Sequence, residues 1–85
     1  MQKYEVRITK QAFKDIKELS PKMKEKLRSI LIEILANTPY EGKKLGGDPG
    51  GNYAIRLNLH DRIVYSVDED EKIVYLKRAK THYEK

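Results

Sequence analysis

The first apolar pattern along the chain is an alternation. In "YEVRIT", Tyr4, Val6 and Ile8 fall on one side and Glu5, Arg7 and Thr9 on the other, the two-residue period of a half-buried strand. The period then lengthens. Thr9 is placed to cap a short helix in which Ala12, Phe13, Ile16 and Leu19 fall at helical spacing, laying a narrow apolar stripe on the core. Ser20-Pro21 marks a second start, because serine accepts hydrogen bonds from the first free amides and proline there lacks only an amide that has no partner. Met23, Leu27, Ile30, Leu31, Ile34 and Leu35 then keep the three-and-four spacing through to Ala36, with lysines outward. Asn37 is expected in the left-handed conformation that ends the helix, and Pro39 prevents its continuation. The two helices form an antiparallel hairpin.

"TPYEGKKLGGDPGGN" reads as one long loop inside a domain, since neither half could bury a core alone. Three strands are predicted after it: "NYAIRLN", "RIVYSVD" and "KIVYLKRA". Tyr53, Ile55 and Leu57 alternate in the first, and Ile63, Tyr65 and Val67 in the second. The two phases share a buried face only if the connection through Leu59 and His60 has an odd number of residues, which brings Arg56 and Arg62 together on the opposite face. "DEDE", Asp68 to Glu71, is a turn, and the apolar run Ile73 to Leu76 predicts a last strand buried on both faces. The fold class is α+β: a strand, a two-helix hairpin, then a three-stranded antiparallel meander, with the helices on one face of an antiparallel sheet. The other face is left for function.

Composition narrows the chemistry. Eighty-five residues read as one domain over 1–85, and without cysteine neither a disulfide framework nor a thiolate metal site supports it. His60 and His82 are too few for a structural zinc and have no ligand spacing, so neither metal nor cofactor is expected. No apolar run reaches the roughly 18 residues of a membrane span, and the N-terminus has no apolar signal core, so the chain reads as cytoplasmic. The net charge of +5 favours an anionic partner. Lys72, Lys77, Arg78, Lys80 and Lys85 concentrate it toward the C-terminal end.

Arg56 and Arg62 on the open face, with His82 and Tyr83 just past the last strand, are the residues that carry chemistry. Singly, each has a plain reading as a solvated or rim residue. Together they supply what cleavage of RNA by its own 2′-hydroxyl requires. A base takes the hydroxyl proton, cations hold the extra charge on phosphorus, and an acid protonates the departing 5′-oxygen. Arginine suits the middle role through its forked, permanently charged donors, histidine the outer roles, and tyrosine stacks on an unpaired base.

"NTPYEGKKL", "YAIRLNLHDRIVYSVDED" and the terminal "THYEK" resemble the RelE/YoeB group of bacterial toxins, and most closely its YoeB/Txe branch, over nearly the whole chain. The resemblance implies a RelE-like fold and a ribosome-dependent messenger-RNA endonuclease of a type II toxin–antitoxin pair. Its partners would be a cognate acidic antitoxin, and messenger RNA in the decoding site of the 70S ribosome. By that resemblance Arg62 stabilises the transition state, Arg56 contacts phosphate, His82 is the general acid and Tyr83 orients the nucleotide. The branch's catalytic glutamate, in a glycine-lysine-proline-glutamate context, has no counterpart in the shorter "GKKLGGDPGGN". The base is therefore open between Asp48, the nearest carboxylate, Glu41 further back, and His82 acting with solvent. Glu41 also reads as loop structure. Lys43, Lys44, Arg78 and Lys80 are candidate RNA contacts. Asp61, between His60 and Arg62, departs from the branch's pattern. Two other readings compete: a toxin resembling the ParE group, which inhibits DNA gyrase without cleaving RNA, and a small basic nucleic-acid-binding module.

Overall fold

The computed structural model describes residues 3–46 and 51–82, the last two by backbone alone. Strand β1 (Glu5–Ile8) leads into helix α1 (Lys10–Lys17), capped by the Thr9 hydroxyl, which accepts from the Ala12 amide at 3.2 Å. Helix α2 (Pro21–Ile30) begins the same way, with the Ser20 hydroxyl accepting from Met23 N at 3.2 Å. Both caps are where the sequence puts them. No helix among the described residues is long and apolar enough to cross a membrane.

The end of the second helix is not as expected. From Leu31 to Leu35 the backbone widens into a π-helical turn, closed by Ala36 N donating to Leu31 O at 3.0 Å. Asn37 does not enter the left-handed region; Lys72, at φ 58°, is the non-glycine residue there among those described. Instead the Asn37 side-chain amide donates to Ile32 O at 3.0 Å, and Lys3 N and Tyr4 N donate to Ala36 O at 2.9 and 2.8 Å. The last carbonyls are satisfied by a side chain and by the two residues just before β1, so a left-handed cap has nothing left to satisfy.

After a short 3₁₀ turn (Pro39–Glu41) come β2 (Lys43–Lys44), β3 (Asn52–Arg56), β4 (Asp61–Asp68) and β5 (Ile73–His82). They form one five-stranded sheet in the order β1-β5-β4-β3-β2. The meander of β3, β4 and β5 is antiparallel as predicted. The sheet as a whole is mixed, because β1 runs parallel to β5, with Glu5 beside Ile73 and Ile8 beside Leu76. The helix hairpin carries the chain from β1 at one edge of the sheet to β2 at the other, and β3 and β4 bring it back to β5, so the long connection that a parallel neighbour demands includes both. β2 was not anticipated: two lysines carry no apolar alternation, and their pairing with Tyr53 and Ala54 makes them a strand.

Tyr65, Ile63, Leu57, Val74, Leu76 and Ala79 are fully enclosed under Ala12, Leu19, Leu27, Ile30 and Leu35 of the helical layer. Phe13 is not part of that stripe. It is 54% exposed, with the Lys17 ammonium 5.1 Å from its ring centre one turn on. The Tyr65 hydroxyl donates to Pro39 O at 2.6 Å, and burial pushes its pKa up to about 12. A Cβ at position 42 would lie 2.3 Å from that hydroxyl, so glycine is required for the loop to pass.

Candidate functional site

The hairpin between β3 and β4 positions the two arginines. Five residues, Leu57 to Asp61, separate the paired Arg56 and Arg62, the odd number that the alternation requires. Leu57 is sunk in the core, while the Asn58 side-chain Oδ1 accepts from His60 N at 2.8 Å and Asp61 N at 2.7 Å. That asparagine-stabilised turn fixes the register, with Ile55 opposite Ile63 and Arg56 opposite Arg62. Because Ile63 faces the helices, both arginines face away from them. Arg56 is exposed and Arg62 half-buried.

Lys43 joins them from β2, directly opposite Ala54. Lys43, Ala54, Arg56 and Arg62 line a cleft of about 190 Å³ on the face turned from the helices. Three cations in so small a space make a strongly positive hollow, suited to an oxyanion such as a phosphodiester. Cross-strand like charges ordinarily cost stability, so this arrangement runs against the local preference of the sheet.

The other candidate residues separate. Lys44 is opposite Tyr53, whose ring stacks on Tyr65, so it belongs to the helix-side face and not to the cleft. Glu41 lines a different hollow, of about 390 Å³, with Tyr4, Asn37, Thr38, Pro39 and Tyr40. Arg78 is drawn to α1, its Nε donating to Asp15 Oδ2 at 2.8 Å, and Lys80 Nζ lies 3.5 Å from Glu18 Oε1. His82 continues β5 opposite Asp61, and Thr81 is opposite Arg62. The His82 side chain, Asp48 and Tyr83 lie outside the described residues. His60 is exposed in the turn.

Two carboxylates were not singled out from the sequence as anchors. Asp61 is buried at the start of β4, its Oδ2 accepting from Asn58 Nδ2 at 3.3 Å. Asp15 is buried on α1 and collects the Arg78 guanidinium, the backbone amides of Ala79 and Lys80, and Gln11 Nε2. Burial pushes the Asp15 pKa up, but the hydrogen bonds from Arg78, Ala79 and Gln11 outweigh it and hold the carboxyl below its ordinary value. The signal was in the chain: Asp15 lies on the apolar stripe, three residues after Ala12 and four before Leu19. A third carboxylate, Glu69, is exposed in the β4–β5 turn. Its side chain accepts from Tyr4 OH at 2.8 Å, Tyr40 OH at 2.7 Å and the Lys72 ammonium, and these partners, Lys72 first, pull its pKa down to about 2.

No protein-family model and no curated protein matches the chain. Solved structures do. The YoeB dimer from Staphylococcus aureus is 32% identical, with 95% of this chain and 99% of that one covered and a TM-score of 0.76. The RelBE2 toxin–antitoxin complex from Mycobacterium tuberculosis is 26% identical over 98% of this chain and 94% of that one, at a TM-score of 0.80. The isolated RelE toxin of E. coli is 26% identical over 96% and 87%, at 0.78.

Proposed function

From the premise that this chain belongs to the RelE/YoeB family of toxins, we propose that it is an endoribonuclease that cuts messenger RNA in the ribosomal decoding site. The observation that carries the reading is the cleft, where Arg56, Arg62 and Lys43 converge on the face turned from the helices. The ribose 2′-oxygen attacks the adjacent phosphorus, and its proton goes to a base. The bond to the 5′-oxygen breaks, leaving a 2′,3′-cyclic phosphate on one fragment and a 5′-hydroxyl on the other. Arg62, with Arg56 beside it, stabilises the doubly charged phosphorus centre through forked hydrogen bonds, whose parallel donors match two phosphate oxygens. His82 delivers the proton to the leaving oxygen, and Tyr83 stacks on the base next to the cut. Proton removal falls to Asp48, Glu41 or His82 with solvent. Of the two carboxylates, Glu41 is supported less, since it lines the other hollow.

The family neighbours include toxin–antitoxin complexes, which supports a cognate antitoxin as the partner that silences this protein. An acidic segment laid across Arg56 and Arg62 would compete with RNA for the same charges and associate in a salt-sensitive way. Acting on ribosomes puts the protein in the cytoplasm. The test is to add the toxin to a translating extract and map the 5′ ends of a reporter message. Cuts that require translation, leave a cyclic phosphate and vanish on adding the antitoxin are expected. Folded protein that leaves messages whole, or that blocks gyrase supercoiling instead, would overturn the reading.

A further inference from the structure

β5 does not pair evenly with β4. Between the pairs Tyr65 with Leu76 and Arg62 with Thr81, β4 advances three residues and β5 advances five. The two extra residues fall on either side of Arg78, which itself pairs with Val64: one between Leu76 and Arg78, the other, the bulge at Ala79 and Lys80, between Arg78 and Thr81. A bulge leaves strand amides without their ladder partners. Here those amides have an acceptor on another element. Asp15 Oδ2 takes hydrogen bonds from Ala79 N at 3.0 Å and Lys80 N at 3.4 Å, as well as from Arg78 Nε at 2.8 Å. Asp15 Oδ1 is held by Gln11 Nε2 at 3.2 Å and by Arg78 Nη2 at 3.4 Å. Asp15 is 7% exposed and Ala79 fully buried, so the bulge is locked onto α1 from inside.

We propose that Asp15 is the positioning residue of the candidate site, holding the β5 bulge and so fixing the register in which the strand end reaches Arg62. The inference rests on the nuclease reading for its consequence, but not for its geometry. Were the register of Arg78 with Val64 simply continued, Arg62 would face Lys80 in place of Thr81. The chain beyond would be displaced by one residue, roughly 3 Å along the strand, with its side chains turned to the other face. A general acid carried on that end would miss a leaving oxygen held in the cleft, where even about 1 Å of misplacement costs on the order of 100-fold in rate. The cleft itself, built from β2, β3 and β4, would stay intact.

Asp15→Asn keeps the shape but turns an amide toward donors and removes the charge that holds Arg78. The experiment has two arms. Cross-strand proton contacts by NMR should show Arg62 beside Thr81 in the wild type and lose that pairing in the variant, while Ile55–Ile63 contacts persist. Single-turnover cleavage on programmed ribosomes should slow by about 100-fold, with the half-saturating ribosome concentration within about twofold of wild type. A general loss of structure would instead move both kinetic quantities and both sets of contacts. An unchanged Arg62–Thr81 pairing, or an unchanged rate in a variant that has lost it, overturns the inference. If the wild type cuts nothing, the nuclease reading fails, and the NMR arm alone decides whether Asp15 sets the register. If Asp15→Asn does not fold, Asp15→Glu supplies the second reading: it keeps the ion pair but carries the carboxylate one methylene past the bulge amides. It should fold and cut slowly, and full-rate cleavage would overturn the inference.

Discussion

Arg62 and Arg78 occupy neighbouring strands and are used in opposite ways. Arg78 meets a buried carboxylate with two of its nitrogens, and that pairing raises its already high pKa. It is charge placed in favour of local stability. Arg62 stands in register with Arg56, beside Lys43, around a cleft that no carboxylate lines among the described residues. That is charge placed against local stability, and the sheet tolerates it only at some cost. The difference separates scaffold from site: a cation locked onto a buried carboxylate holds the fold, whereas three cations gathered around a hollow make a surface suited to an anion.

The comparison breaks most readily at its buried end. Asp15→Ala strips Arg78 of its partner and leaves the Ala79 and Lys80 amides without an acceptor. Removing one partner of a buried ion pair typically costs 3–5 kcal/mol; discounted for the 42% exposure of the Arg78 side chain, about 2–4 kcal/mol is expected. Urea unfolding measures it, and a loss under about 0.5 kcal/mol would mean that Arg78 is not a scaffold residue. Arg56→Thr sharpens the other end. Relieving the cross-strand repulsion should leave stability unchanged or raise it by about 0.2–1 kcal/mol, while RNA binding weakens and its dependence on salt becomes shallower. A destabilised variant with undiminished RNA affinity would reverse the assignment.

The smallest effect is at Glu69, which is exposed where Asp15 is buried but gathers several partners as Asp15 does. Its folded pKa, near 2, is below the ordinary glutamate value of about 4.3. The stabilisation is therefore complete above that ordinary value and is lost as pH falls through it toward 2. Glu69→Gln should be less stable than wild type at pH 7 and indistinguishable from it near pH 2. A difference that persists at low pH would trace the effect to packing of Tyr4 and Tyr40 and not to charge.

What the sequence made legible was what periodicity controls. Both N-terminal caps, the meander, and the meeting of Arg56 with Arg62 follow from side-chain alternation and from the parity of the Leu57–Asp61 connection. What it concealed depends on contacts between distant segments. The π-helical turn keeps the same apolar spacing as an α-helix, so only the Asn37 amide on Ile32 and the Lys3 and Tyr4 amides on Ala36 explain why no left-handed cap is needed. β2 is a strand because β3 lies beside it, and the β5 bulge exists with an acceptor sixty-odd residues away. Lys44 and Lys43 are indistinguishable as neighbours in "GKKL", yet the register sends only Lys43 to the cleft. The pattern also hid the direction of β1, since alternation is the same whether a strand pairs parallel or antiparallel.

The central claim is that the paired arginines are the catalytic centre, and Arg62→Ala in single-turnover cleavage of a message on programmed ribosomes tests it most directly. Losing a preorganised donor to the charged transition state should slow cleavage by on the order of 10²–10³-fold. The urea midpoint should stay where it is, and Arg62→Lys should recover only part of the rate, as a point charge in place of a fork. Cleavage within a few-fold of wild type in the alanine variant would contradict the account and move the chemistry away from this cleft.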